Sequence, residues 1–440
     1  MYRLANKSLT HWLQSIDRKP VVLRGARQVG KSTLVKLLAQ ANGFTLHEIN
    51  LEKVFLQSTE NEISIEKVIS EVESISKNPV GKKSIIFFDE IKKQPSVYSA
   101  LRYFREERPD IPVLAAGSLL EVYVEEFEHS VPVGRVQYYH LGPMNFFEFL
   151  HALGEKELLK KLSNYNPFDE LPDRVHQQAL DFFSIYLSVG GMPEAVKKYR
   201  DTGSFLSVAQ VHESILQTYQ DDFYKYATRT QVTKLQTLFR SLPSKIGQKI
   251  KWSEIDPTTK AFDLQRCYQL LVKSGVVLNC CHSNATSLSL EATLDEKTFK
   301  PYFLDVGLLS SRLQLNTSAF DLKADSPIKG TFYEQFIAQH LAFYRGPLVR
   351  PELSYWLRDK KKNLAEIDFI IEKKLQKFPI EVKDQPLGKM QSLKLFCNQH
   401  KTKTAINFCL KKPKKEKINN TEVLCIPIYA VQYLKKYLLD

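Results

Sequence analysis

The sequence contains few of the features that mark secreted, fibrous or membrane proteins. Six cysteines occur in 440 residues, none in a C-x-x-C pair, and most stand in apolar runs, so we expect reduced core residues. Glycine and proline number only 17 and 20, which excludes a low-complexity or fibrous chain. No apolar stretch approaches the ~20 residues of a membrane helix, and the N-terminus lacks a signal-peptide core. We expect a cytoplasmic protein without a membrane partner.

The charge of the chain is positive and uneven. Lysine and arginine total 62 against 49 acidic residues, a net charge of +13. Residues 331–440 hold 21 basic and 11 acidic side chains, including basic runs at Lys360–Lys362 and at 411–417. A basic segment of this kind favours a polyanionic partner, DNA or RNA. The alternative is a solvated basic surface.

A phosphate-binding motif, GARQVGKST, occupies residues 25–33. An apolar run precedes it and leucines at helical spacing follow it, which places it between a buried strand and a helix. Its glycines let the backbone approach phosphate oxygens, and the helix turns its positive end toward them. Lys31 is expected to contact the β- and γ-phosphates of ATP, and Ser32 to ligate Mg²⁺. The predicted nucleotide-binding residues of this segment are Gly25, Gly30, Lys31, Ser32 and Thr33.

Two acidic residues end a later apolar strand, SIIFFDE at 84–90. Asp89 is suited to hold the magnesium shell, and Glu90 to orient and polarise the attacking water. The pair therefore predicts hydrolysis of ATP rather than phosphate transfer to a small molecule. Ser118 ends a further strand, 111–118, and is predicted to lie near the γ-phosphate, although a small loop residue is an alternative interpretation.

The order of segments predicts an α/β fold. Five predicted strands alternate with helices in the first third of the chain, which is typical of a parallel sheet covered on both faces. Three helices and a strand hairpin after residue 231 favour a winged helix, either a DNA reader or a spacer. The predicted parts are a P-loop ATPase core at 1–145, a helical lid and connector at 146–228, a winged-helix-like domain at 229–325 and a small α/β domain at 326–440.

Acidic residues recur on a predicted helix and two predicted strands near the C-terminus. Glu381 and Lys383 lie two residues apart, so they share one face of a strand. Converging carboxylates there would hold Mg²⁺ or Mn²⁺, and the lysine would add positive charge or position a nucleophile. The predicted ligands of this second metal site are Glu334, Asp368 and Glu381, with Lys383 beside them and Glu366 as a substitute ligand. Surface ion pairs are the competing interpretation.

The chain resembles a group of prokaryotic AAA-type P-loop ATPases that carry a long, poorly characterised C-terminal region. The resemblance rests on GARQVGKST, FFDEI, AAGSLLEV, VPVGRVQYYHLGPMNFFEFL and YLSVGGMPEAV. It implies ATP hydrolysis with Mg²⁺ and an arginine acting on the nucleotide, within the chain or from a neighbouring subunit of a homo-oligomer. Arg135 stands at that position, and Arg102, Arg105 and Arg108 are alternatives.

The sequence departs from this family directly after the two acids. The family pattern is D-E-I-Q, whereas here Ile91 is followed by Lys92, Lys93 and Gln94. The acids are intact, but any role of the glutamine is in doubt.

The C-terminal acidic pattern is similar to that of the PD-(D/E)xK nuclease superfamily. The match places Glu334 on the first core helix, Asp368 on the second strand and Glu381-x-Lys383 on the third. It implies metal-dependent cleavage of nucleic acid, or a nuclease-like fold that has lost this activity.

Three hypotheses follow from these observations. The leading one is an ATP-hydrolysing protein whose basic C-terminal domains engage nucleic acid. The second is a metal-dependent DNase regulated by ATP. The third is a nucleotide-operated signalling or defence switch that binds a protein partner.

Overall fold

The computed structural model describes residues 1–59, 63–118, 134–164, 171–315, 317–322, 327–360, 363–383 and 390–438. The helices are α1 (Leu4–Gln14), α2 (Lys31–Asn42), α3 (Ile65–Ser76), α4 (Pro95–Glu107), α5 (Phe146–Ala152), α6 (Lys156–Asn164), α7 (Asp173–Val189), α8 (Pro193–Thr202), α9 (Phe205–Tyr226), α10 (Arg229–Ser241), α11 (Ala261–Lys273), α12 (Val306–Arg312), α13 (Lys329–Ala342), α14 (Gln391–His400) and α15 (Leu434–Tyr437). The strands are β1 (Val21–Arg24), β2 (Thr45–Asn50), β3 (Ser84–Asp89), β4 (Val113–Ala116), β5 (Gln137–His140), β6 (Val277–Ser283), β7 (Leu294–Phe303), β8 (Leu353–Lys360), β9 (Asn363–Lys373), β10 (Gln376–Val382), β11 (Thr404–Cys409), β12 (Lys414–Ile418) and β13 (Thr421–Pro427).

The N-terminal part of the described chain contains a parallel sheet of five strands in the order β2-β3-β4-β1-β5. Every neighbouring pair is parallel, which confirms the predicted α/β class. Alternate strand residues enter two separate cores, one against α1 and α2 and the other against α3 and α4. Burial on both faces explains why the central strands β1, β3 and β4 are almost continuously apolar in sequence.

The carboxyl ends of the central strands meet at one edge of this sheet. The P-loop follows β1 there, β3 ends in Asp89, and Ser118 follows β4 by two residues. Because the strands are parallel, motifs far apart in sequence come together at this edge.

The helical region after the first sheet is fixed by a turn between α7 and α8. A Cβ on Gly190, whose φ is +69°, would lie 2.1 Å from Asp305 Oδ1, and one on Gly191 would lie 2.0 Å from the Met144 carbonyl oxygen. Asp305 Oδ2 accepts the Gly191 N–H at 2.6 Å, and Asp305 Oδ1 accepts two N–H groups of α12. These close approaches explain the two glycines of the GGMPEAV block.

A second, mixed sheet of eight strands occupies the C-terminal part of the described chain, in the order β12-β13-β11-β10-β9-β8-β6-β7. The hairpin predicted as a wing forms as β6 and β7, which pair antiparallel. However, β6 also pairs in parallel with β8, so the hairpin continues the sheet of the predicted nuclease-like part. The second helix of the winged-helix pattern is only a 3-10 turn, Trp252–Glu254.

None of the helices in the described ranges is both long and apolar enough to cross a membrane.

Candidate nucleotide site and C-terminal acidic cluster

The P-loop is held in a left-handed conformation at both of its glycines. Gly25 has φ +137° and Gly30 has φ +94°, values that L side chains rarely adopt. A Cβ on Gly25 would lie 2.2 Å from the carbonyl oxygen of Leu141, so the chain after β5 packs directly against the loop. Lys31 Nζ donates to the carbonyl oxygens of Gly25 and Ala26 at 2.9 and 2.8 Å. The ammonium is thus already turned toward the space that the loop encloses.

The two predicted magnesium-binding side chains face each other. Ser32 Oγ donates to Asp89 Oδ2 at 2.8 Å, and Asp89 Oδ1 accepts the Glu90 N–H at 3.1 Å. Burial raises the pKa of Asp89, and the hydrogen bond from Ser32 opposes that rise. A hydroxyl and a carboxylate at this spacing match the oxygen ligands that Mg²⁺ takes beside nucleotide phosphates, so the donor set fits this ion. Thr33 is exposed on the next position of α2.

Glu90, the predicted water-polarising residue, stands at the same edge with φ +54°. Its Oε2 lies 3.6 Å from Lys92 Nζ, and Lys92 Nζ donates to Ser118 Oγ at 3.2 Å. Lys92 and Ser118 are both buried, at 9% and 3% exposure. Burial lowers the pKa of Lys92, and the nearby charge of Glu90 offsets part of this effect. Lys92 therefore joins the two residues predicted to act on the attacking water and the γ-phosphate.

Gln94, the glutamine that follows the two acids in the sequence, has a structural role in the core. Its side chain is buried and exchanges hydrogen bonds with both backbone groups of Leu56, at 3.0 and 2.7 Å. Lys92 occupies the position after Ile91 where the family pattern has glutamine. From the sequence alone, Lys92 is only a mismatch to that pattern. Geometry, rather than the motif, places Lys92 beside Glu90 and Ser118.

Two residues far from the P-loop in the sequence hold its backbone. Arg3 Nη1 donates to the Val29 carbonyl at 2.9 Å, and Arg3 Nε to Glu148 of α5 at 3.2 Å. From α9, Tyr219 donates to the carbonyl oxygen of Arg27 at 3.0 Å. No spacing in the sequence points to Arg3 or Tyr219, because each is brought to the loop only by the fold.

Arg135 lies far from the P-loop of its own chain. It precedes β5 by two residues, and Gln137 at the start of β5 is level with Val21 at the start of β1. The P-loop leaves the opposite end of β1, about 13 Å further along at ~3.3 Å per residue. Arg135 is exposed and forms an ion pair with Glu106 at 2.9 Å. Its action on the nucleotide, within the chain or from a neighbouring copy, therefore stays a prediction that this position does not support within one chain.

The alternative arginines also have partners on the surface of the core. Arg102 donates to Tyr103 at 2.5 Å, Arg105 pairs with Asp17 at 3.6 Å, and Arg108 pairs with Asp110 at 3.0 Å. Most of the AAGSLLEV and VPVGR blocks, residues 119–133, lies outside the described residues.

The C-terminal acidic residues form one cluster, here called the acidic cluster: Glu334, Glu366, Asp368 and Glu381. Asp368 and Glu381 are buried, at 4% and 1% exposure. Asp368 Oδ2 accepts the Val382 N–H at 2.8 Å, and Lys383 Nζ donates to Glu381 Oε2 at 2.5 Å. Burial and then the charge of Asp368 raise the pKa of both Glu334 and Glu381. The predicted residues are thus brought together.

The acidic cluster lacks the arrangement of a metal site. Within the ranges that the structure describes, no three histidine, cysteine, aspartate or glutamate side chains are placed to hold a metal ion. Glu381 Oε1 is buried without a hydrogen-bond partner. Lys300 enters the cluster from β7 and pairs with Glu366, an ion pair that no motif or spacing predicts.

Much of the basic run at 411–417 is paired within the chain. Lys412 pairs with Asp173, Lys414 with Glu416 and Lys415 with Glu422. Lys414, Lys415 and Lys417 are nevertheless exposed on β12, which is the edge strand of the mixed sheet. Of the run Lys360–Lys362, the last two residues lie outside the described chain.

Three family models match the sequence, one after another. Residues 17–150 match a family described as "AAA domain". Residues 181–319 and 329–430 match two domains of unknown function, DUF8612 and DUF4143. No curated protein matches the chain. Together with the order of the parallel strands and the P-loop geometry, the first match defines the N-terminal part as an AAA-type P-loop ATPase core.

Solved structures that match the chain at low sequence identity include three proteins. The Walker-type ATPase PABY2304 of Pyrococcus abyssi is 14% identical, with a TM-score of 0.44 over 70% of this chain and 95% of that one. The RuvB Holliday junction branch migration motor of Thermotoga maritima is 14% identical, with a TM-score of 0.31 over 63% and 89%. The Aeropyrum pernix ORC1 protein, solved in complex with DNA, is 14% identical, with a TM-score of 0.28 over 70% and 90%.

Proposed function

We propose that this protein binds ATP with Mg²⁺ and hydrolyses it, and that its basic C-terminal part engages nucleic acid. The observation that carries the first half is the 2.8 Å hydrogen bond between Ser32 and Asp89. It joins the phosphate-binding loop to the acidic strand at the edge of the sheet where P-loop ATPases hold nucleotide.

The P-loop residues bind and orient the triphosphate in this proposal. Phosphate oxygens replace the carbonyl oxygens of Gly25 and Ala26 as acceptors of Lys31 Nζ. The N–H groups at the start of α2 point into the same loop and favour negative charge. Ser32 and Asp89 would hold Mg²⁺, which would neutralise charge on the phosphates.

Glu90 and Lys92 act on the water. Glu90 accepts hydrogen bonds from the attacking water and takes its proton on a carboxylate oxygen, as a general base. Lys92 Nζ forms an ion pair with Glu90 Oε2 at 3.6 Å and donates a hydrogen bond to Ser118 Oγ at 3.2 Å. It therefore orients both side chains.

Calorimetric titration with ATP and Mg²⁺ tests the binding step. Wild type should bind one ATP, and Lys31→Ala should bind at least about tenfold more weakly, because alanine provides no charged hydrogen-bond donor to phosphate. Lys36→Ala is the matched control, since Lys36 lies on the same helix, exposed and paired with Glu48. Absence of ATP binding by the wild type, or equal affinity of wild type and Lys31→Ala, contradicts the proposal.

The nucleic-acid half rests on charge and exposure. Most of the net positive charge of the chain lies in residues 331–440, and exposed lysines follow the edge strand β12. A cationic edge of this kind contacts a phosphate backbone without reading its sequence.

Fluorescence anisotropy with a labelled 20-base-pair duplex and a matched single-stranded RNA, over a series of salt concentrations, tests this half. Binding should weaken steeply with salt. Lys414→Gln/Lys417→Gln should reduce the slope by roughly 1 to 2, about 0.9 for each phosphate that is no longer neutralised. Lys82→Gln/Lys83→Gln, two exposed lysines of the ATPase core, is the control. A flat salt response contradicts nucleic-acid engagement and favours a switch that binds a protein partner.

A further inference from the structure

Lys300 is the cation that lies deepest in the acidic cluster. Its side chain is 2% exposed and its ammonium pairs with Glu366. The Tyr355 ring lies 4.8 Å from Nζ, so an aromatic face covers the ammonium group. Burial opposes the charge on Lys300, but the negative charges of Glu366, Asp368 and Glu334 outweigh burial, and its pKa is raised. The ammonium therefore lies within electrostatic reach of three of the four carboxylates.

We propose that Lys300 takes the place of a divalent cation in the acidic cluster, so that the wild-type protein binds no metal ion there. The nuclease-like pattern of the sequence is then a lysine-neutralised core rather than a metal-dependent cleavage site. This inference does not depend on ATP hydrolysis or on nucleic-acid binding.

The position of Lys300 follows from the sheet. It lies on β7, opposite Cys280 of β6, and the hairpin of these strands continues the sheet beyond β8. Tyr302 lies two residues further along, on the same face of β7, and its hydroxyl donates to Glu334 Oε2 at 3.3 Å. The hairpin thus supplies one cation and one hydroxyl donor to carboxylates that belong to α13 and β9.

Each carboxylate of the cluster already has a donor from the protein. Glu366 pairs with Lys300, and Glu334 accepts a hydrogen bond from Tyr302. Asp368 accepts one from the Val382 N–H, and Glu381 accepts one from Lys383. A divalent ion bound to these carboxylates would have to stand beside two ammonium groups, those of Lys300 and Lys383. Such an arrangement is unfavourable, because like charges in a buried site repel strongly.

Titration of the nucleotide-free full-length protein with Mn²⁺, followed by the electron paramagnetic resonance signal of free Mn²⁺, tests the proposal. Wild type and Asp368→Asn should show the same binding. Lys300→Met should gain one Mn²⁺ site, at least about tenfold tighter than any binding by the wild type, and Lys300→Met/Asp368→Asn should lose it again. Lys297→Met, an exposed lysine of the same strand, should behave as the wild type.

Two results overturn the proposal. One is Mn²⁺ binding by the wild type that Asp368→Asn removes, since this shows a metal site with Lys300 in place. The other is a folded Lys300→Met protein that gains no Mn²⁺ site. If Lys300→Met does not fold, as judged by circular dichroism, Lys300→Gln replaces it. The comparison of Mn²⁺ binding by wild type and Asp368→Asn then still shows whether the cluster holds a metal ion with Lys300 in place.

Discussion

Asp222 of α9 holds Arg27 of the P-loop through an ion pair of 2.6 Å between Oδ2 and Nε. The carboxylate also pairs with Lys225 at 2.9 Å and is almost fully buried. A helix outside the ATPase core therefore places a negative charge against the loop that is proposed to bind phosphates. This ion pair couples the nucleotide site to the helical region.

Removal of that charge should strengthen nucleotide binding. Asp222→Asn leaves Arg27 free to face the phosphates and deletes a nearby negative charge, so we expect the Kd for ATP to fall about threefold to tenfold. Calorimetric titration gives the value. Asp221→Asn is the control, because Asp221 is the exposed neighbour on the same helix. An unchanged or weaker affinity for Asp222→Asn would show that the ion pair does not oppose phosphate.

Lys92 should be needed for turnover more than for binding. Lys92→Met removes the ammonium group that pairs with Glu90 and donates to Ser118, so kcat for ATP should fall about tenfold or more while KM changes little. Lys92→Gln, which places the glutamine of the D-E-I-Q pattern after Ile91, should recover most of kcat. Lys93→Met is the matched control, since Lys93 is partly exposed and pairs with Glu52. Equal loss of kcat in Lys92→Met and Lys92→Gln would point to a purely structural role.

Asp305 should make stability depend on pH between about 4 and 6. Burial raises its pKa to about 6, although hydrogen bonds from backbone N–H groups oppose the rise. The folded chain then keeps a proton that the unfolded chain has lost, so the unfolding free energy from this residue falls as pH rises through that window, by about 2–3 kcal/mol. Urea midpoints at pH 4.5, 5.5 and 6.5 should show the gap between wild type and Asp305→Asn shrinking with pH. A constant gap contradicts this account.

The turn before α8 should tolerate no side chain at its first glycine. In Gly190→Ala the added Cβ meets Asp305 Oδ1 at 2.1 Å, and we expect a loss of more than about 2 kcal/mol. Gly203→Ala is the matched control, because Gly203 has a similar φ of +65° but nothing within 4 Å of the added Cβ. It should cost only about 1 kcal/mol. Urea denaturation of the two variants compares these costs, and equal costs would mean that the close approach to Asp305 is unimportant.

Local patterns in the sequence are enough to predict the ATPase core. The P-loop and the acidic strand carry their own strand and helix signals, and parallel pairing then brings Ser32 and Asp89 together without further information. The predicted strand at 84–90 agrees with β3 to within one residue. The α/β class is predictable for the same reason, because alternating buried strands and helices leave few other topologies.

Contacts between distant segments are not predictable in the same way. The register of β5 against β1 decides that Arg135 stands at the far edge of the sheet, and a motif alone gives no register. Lys300 reaches Glu366 across 66 residues, through a hairpin whose pattern is also typical of a separate wing. A lysine is rarely buried unless it is paired. Sequence reasoning would therefore place Lys300 on the surface and not in the acidic cluster.

Steady-state ATP hydrolysis with Mg²⁺ by wild type and Glu90→Gln tests the central claim most directly. Wild type should turn over ATP, and Glu90→Gln should bind ATP with similar affinity but hydrolyse it about 10²- to 10⁴-fold more slowly, because glutamine cannot act as the general base. Glu52→Gln, an exposed glutamate, should retain the wild-type rate. Hydrolysis at equal rates by wild type and Glu90→Gln, or none by the wild type, would contradict the account.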